Sequence, residues 1–174
     1  MTFEGDSALI VPVPEADPVI HPWRLQHDPA AVAGVPAHVT VLFPFVPRSQ
    51  IGDASRDAVK QIADRTGSFE YLLAEIRWFG SDVVYLAPDP DVVFRGLTAA
   101  VWASFPQHPP YGGVHDDPTP HVTIGHAETG DLQPAIEAIT RSLPIPATAD
   151  RIELIEFADD RWRTTDSFPL RLSV

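Results

Sequence analysis

Two short segments carry residue types suited to acid–base chemistry: His38-Val39-Thr40-Val41 and His121-Val122-Thr123-Ile124. They are offset by 83 residues, close to half of the 174-residue chain, and Pro36 and Pro120 stand shortly before them. Side chains alternate across a strand, so in His-x-Thr the imidazole and the hydroxyl share one face, about 6.6 Å apart along the strand. Val39 and Val41, like Val122 and Ile124, then face the other way, toward a core. Two such strands facing one another would gather two imidazoles and two hydroxyls around one small volume. That set suits a phosphodiester. One neutral imidazole takes a proton from attacking water, and one imidazolium gives a proton to the departing oxygen. Threonine hydroxyls donate to the non-bridging oxygens, where charge builds. The scheme requires no metal. A single His-x-Thr is expected by chance about 0.4 times in this composition, whereas two copies sharing a central valine have a chance of order 10⁻³.

Other residues have weaker claims. Tyr111, beside Gly112-Gly113 in the loop before the second copy, could close over a substrate and stack on a base. Arg163 could reach a phosphate. His115, Asp116, Asp117, His121 and His126 form a rival constellation for a divalent metal, but it matches no recognised zinc spacing and leaves the copy at residue 38 unexplained. Phe43 falls on the core side by strand alternation, and Trp162 reads as core.

These residues need elements to hold them. Ala8–Val13 reads as a buried strand, and Asp17–Ala33 as a helical or irregular crossover broken by Pro18, Pro22 and Pro29. Ala37–Pro44 is a strand and Arg56–Thr66 a helix, and Phe69–Phe79 and Val83–Ala87 are strands joined at Gly80-Ser81-Asp82. Asp91–Phe105 is a helix and Pro106–Pro120 a loop. His121–Gly125 is the second motif strand, and Leu132–Leu143 is a helix capped by Thr129 or Asp131. Asp150–Phe157 and Trp162–Leu172 are strands turning at Asp159-Asp160. Each half therefore reads motif strand, helix, strand, strand, which is α+β with antiparallel sheets.

The paired segments at 38–41 and 121–124 resemble the H-x-T/S-x motifs of the 2H phosphoesterase superfamily, and within it the 2′-5′ RNA ligase and cyclic phosphodiesterase branch. The run His38-Val39-Thr40-Val41-Leu42-Phe43-Pro44-Phe45 is similar to first motifs of that branch. The resemblance implies one bilobal, duplicated α+β domain over residues 1–174, with helices outside antiparallel sheets and a cleft between the lobes. It implies catalytic roles for His38 and His121, and phosphate contacts for Thr40 and Thr123. Relatives often carry a basic residue where this chain has His126, a weaker fixed charge. The resemblance leaves open which histidine is the base; His121 as base and His38 as acid is the starting assignment. The implied activity is hydrolysis of a 2′,3′-cyclic or 2′-5′ phosphodiester of a nucleotide or RNA end. The alternatives are a non-catalytic module of the same fold that binds nucleotide or RNA ends, and a metal-dependent hydrolase.

Composition narrows the field. Net charge is −12 with a single lysine, Lys60, which argues against long nucleic acid as a partner. Cysteine is absent, so there is no thiol nucleophile and no disulfide framework. No apolar run approaches a membrane span, and the first residues do not read as a secretory signal. There is no phosphate-binding G-x-x-x-x-G-K-[ST] loop, no G-x-G-x-x-G and no G-x-S-x-G elbow. The expectation is a cytoplasmic, monomeric protein without cofactor, acting on a small nucleotide or RNA end and binding no membrane.

Overall fold

The computed structural model describes residues 6–115 and 117–172. In chain order the elements are β1 (Ser7–Pro12), α1 (Asp17–His27), α2 (Pro29–Val32), β2 (His38–Leu42), α3 (Asp53–Arg65), β3 (Phe69–Phe79) and β4 (Val83–Asp89). Then come α4 (Val92–Ser104), β5 (Val122–His126), α5 (Gln133–Thr140), β6 (Ile145–Ala149), β7 (Arg151–Ala158) and β8 (Arg161–Pro169). Two four-stranded antiparallel sheets result, ordered β2-β1-β7-β8 and β5-β4-β3-β6. The fold is α+β and two-lobed. Each motif strand is the edge of its own sheet, and the two edges meet.

The halves are interleaved. The hairpin β3–β4 follows the first motif but lies in the second motif's sheet, and β7–β8 follow the second motif but lie in the first motif's sheet. The helices cross as well. α1 packs on β5 and α4 on β2, where the Thr98 hydroxyl donates to the Val41 carbonyl at 2.8 Å. One continuous core then lies behind both sheets. It joins Leu9, Val11, Val39 and Val41 to Leu86, Val122 and Ile124, sealed by Phe94, Leu97, Val101 and Ile139 from the helices. A second, smaller cluster covers the opposite face of the first sheet: Ala8, Ile10, Val35, Ile155, Phe157 and Trp162. β1 is thus buried on both faces, which is why its sequence shows no alternation.

Several expectations are revised. The crossover at 17–33 is two helices; Pro18 sits in the first turn of α1, where its missing N–H costs nothing, and Pro29 opens α2. β6 carries no strand signal in the sequence, because Pro144 and Pro146 silence it, yet β6 is an edge strand, where a proline is tolerated. The second half therefore has three strands after its helix. α5 opens at Gln133 with Leu132 at its N-cap and no side-chain cap bond. Neither Thr129 nor Asp131 is the cap, although the Asp131 carboxylate accepts the Gln133 N–H at 2.9 Å just ahead of the helix and Thr129 bonds the His126 carbonyl. No helix among the described residues is long and apolar enough to cross a membrane.

Candidate active site

The two motifs share an irregularity as well as a sequence. In β1–β2 the register passes from Leu9↔Leu42 to Ile10↔Thr40, skipping Val41. In β4–β5 it passes from Val84↔Gly125 to Tyr85↔Thr123, skipping Ile124. The fourth motif residue is the extra one in both strands, and both are driven into the main core. Such bulges re-aim neighbouring side chains and break strict alternation. Phe43 shows the effect. Alternation placed it on the core side, but after the skipped Val41 it turns to the opposite face, meeting Trp162 edge-on at 6.0 Å.

His38, Thr40, His121 and Thr123 all line one cleft of about 260 Å³ between the sheets. Each imidazole is held in the same way. His38 Nδ1 bonds the Pro36 carbonyl and His121 Nδ1 bonds the Thr119 carbonyl, both at 2.8 Å. A carbonyl can only accept, so each Nδ1 carries a proton, and Nε2 is left to exchange one. The His121 ring is also fixed edge-on against Phe79 and Tyr85, at centroid distances of 4.9 and 5.6 Å.

The two histidines are unequal electrostatically. Burial, and then the Arg24 guanidinium, push the pKa of His38 down to about 4, partly opposed by its bond to Pro36 and by the Asp28 carboxylate. His121 is also lowered, by burial first, with a smaller contribution from His126. The Arg24–Asp28 pair beside His38 is a feature that sequence reasoning missed. It is almost fully buried, at 1% and 3% exposure, with two guanidinium nitrogens donating to one Asp28 oxygen at 2.7 and 3.0 Å. Its third bond goes to the Val35 carbonyl. An i,i+4 spacing of Arg and Asp on a helix was the available signal, but Pro22, just ahead of the pair, obscured the helix.

The remaining candidates divide. Tyr111 lines the cleft, shares a hydrogen bond with Thr40, and receives its place from a backbone bond of its N–H to the Phe43 carbonyl. It has positive φ, 52°, as do Gly112 and Gly113 after it, so the loop turns sharply over the motif. Beyond Tyr111 the cleft continues into a second arm of about 480 Å³ lined by Phe79, Asp82, His115, Asp117, His121 and His126, among others. His126 lines both arms, with Nε2 3.9 Å from Asp28 Oδ1. Arg163 is not brought to the cleft: β8 turns Trp162 inward and Arg163 outward, where it pairs with Asp159 at 3.3 Å. Of the rival metal constellation, Asp116 lies outside the described residues. Among the described residues no three His, Asp or Glu side chains are grouped to hold a metal ion.

Comparison with solved structures finds the same fold. E. coli LigT complexed with NADP+ superposes with a TM-score of 0.59 at 20% identity, covering 98% of this chain and 99% of that one. TT0787 of Thermus thermophilus gives a TM-score of 0.66 at 16% identity over 97% and 100% of the two chains. A structure described as a phosphoesterase gives 0.59 at 19% identity over 97% and 99%. No curated protein sequence matches the chain significantly. The family model of the 2′-5′ RNA ligase superfamily matches residues 12–161, a span that takes in both motifs, and the chain belongs to that superfamily, the 2H phosphoesterases.

Proposed function

We propose that the protein is a phosphodiesterase that hydrolyses a 2′,3′-cyclic or 2′-5′ phosphodiester of a nucleotide or RNA end by two-histidine acid–base catalysis. The observation that carries this reading is the matched tethering of His38 and His121, each with Nδ1–H spent on a carbonyl two residues back, in one shared cleft. Water attacks phosphorus in line. One Nε2 takes the water's proton, and the other Nε2–H protonates the departing ribose oxygen. Thr40 and Thr123 donate to the non-bridging oxygens.

The electrostatics favour reversing the starting assignment of roles. With its pKa near 4, His38 stands neutral at working pH, as a base must. His121 is the acid. An incoming phosphate anion favours the imidazolium it needs. The complexes of LigT with 3′-AMP and with ATP support a ligand of nucleotide size.

The test is turnover of 2′,3′-cyclic nucleotides in the presence of a chelator. The wild type should be active, and His38→Ala and His121→Ala should each lose ~10²–10⁴-fold in kcat. Equal rates in all three proteins would refute the proposal. Binding without turnover that survives His121→Ala would mark a non-catalytic module instead, a reading favoured by the scarcity of cationic side chains around the cleft.

A further inference from the structure

The cleft's walls say more about the ester than the histidines do. Among the described residues neither arm is lined by a lysine or an arginine. The guanidinium acting on His38 belongs to Arg24, and its donors go to Asp28 and the Val35 carbonyl. Arg95 approaches the second arm, but it is held by Asp91 and Asp117 at 2.9 and 2.7 Å. Those arginines neutralise two of the three carboxylates along the arms, Asp28 and Asp117, and Asp82 is the one carboxylate among the described lining residues that carries no arginine. The chain as a whole carries −12. The first arm's wall, by contrast, is apolar and broad, built from Ala8, Ile10, Val35, Phe43, Ile155 and Trp162.

We infer that this site selects phosphodiesters with a single negative charge and a neutral, flat apolar group, the size of a cyclic mononucleotide, and discriminates against oligonucleotide ends. The inference rests on the hydrolytic reading above and narrows its substrate. One phosphate is accommodated between the two histidines and two threonines. Every further phosphate of an RNA end would meet no free lysine or arginine among the described lining residues, only arginines already held by carboxylates, the Asp82 carboxylate, and the field of a chain of charge −12. The neutral face of a nucleobase fits the apolar wall by burial and by edge contact with Trp162 and Phe43.

The test compares kcat/KM for a 2′,3′-cyclic mononucleotide with that for a trinucleotide ending in the same cyclic phosphate, at ionic strengths of about 0.02 and about 0.2 M. The mononucleotide should lead by at least ~10-fold at low salt, and the gap should narrow at high salt, because screening weakens like-charge repulsion. Asp82→Asn and, separately, Asp117→Asn, which also releases Arg95, should narrow the gap at low salt. A trinucleotide equal or better at low salt would overturn the inference while leaving the phosphodiesterase reading standing. So would a trinucleotide rate that falls with salt, as counterion release from a cationic site requires. If neither compound is hydrolysed, the hydrolytic reading falls. The selectivity is then read from the two dissociation constants by calorimetry, where tighter binding of the trinucleotide sinks it.

Discussion

A histidine whose Nδ1–H is tied to a carbonyl can exchange a proton only through Nε2, so the proposed reaction has two nitrogens to work with, and their affinities would set its pH profile. With His38 as base, kcat/KM rises with pH as that group loses its proton, near 4. With His121 as acid it falls again as pH passes a pKa held below 6.5. The expected profile is a bell on the acid side of pH 6.5, checked by kcat/KM across pH 3.5–8 in buffers of constant ionic strength. Arg24 offers a directed perturbation. Its charge lowers the His38 pKa, so Arg24→Met should move the acidic limb to higher pH. The same change strands the Asp28 carboxylate in a buried site and should cost about 3–5 kcal/mol of stability, measured by urea denaturation. Arg24→Met combined with Asp28→Leu should restore much of the stability, because no lone charge remains. The histidines and threonines were legible because a repeated tetrapeptide announces itself. Arg24 and Asp28 were not, since an i,i+4 pair becomes a buried electrostatic device only once α1 is packed against the other lobe.

At the level of elements, that packing depends on one residue without a side chain. Gly125, inside β5, lies under the end of α1; a Cβ there would stand 2.5 Å from the His27 Cβ and 2.9 Å from Leu132 Cδ2. His27 is held by its ring bond to the Thr129 hydroxyl, which in turn donates to the His126 carbonyl, and Leu132 is buried in the main core. Gly125→Ala must therefore push α1 off β5, at a cost of about 1–3 kcal/mol. Asp28 follows His27 directly, so the substitution should lower kcat as well as the melting temperature. A variant of full activity and unchanged melting temperature would show that the contact is softer than its geometry. Most elements were readable from the chain because their signals are local: the 3.6-residue stripe of α4, the turn at Gly80, the break after α3. What escaped was context. Pro146 hid β6, whose edge position alone makes the proline acceptable, and the skipped Val41 turned Phe43 from the core to the cleft.

On the scale of the whole molecule, the repeat reads as two halves, yet neither half owns a sheet. The first sheet takes β1 and β2 from before residue 43 and β7 and β8 from after residue 150; the second takes β3, β4, β5 and β6 from between them. Each motif strand is also backed by a helix that precedes the other motif strand. A chain cut at the Ser81-Asp82 turn would leave β1 and β2 without β7, and β4 and β5 without β3, each with an unpaired, apolar interior edge. Such a fragment exposes core surface on one face and a bare edge along the other, and three or more paired strands are needed for a stable sheet. Fragments 1–81 and 82–174 should therefore each lack a cooperative unfolding transition by circular dichroism, while the intact chain unfolds in one step. Mixed in equal amounts, the two should recover the fold and some turnover, because every lost strand is supplied by the other piece. Independent folding of either fragment would mean that the interleaving of sheets and helices contributes little to stability. The pairing of His38 with His121 would then be the product of two docked units rather than of one continuous core.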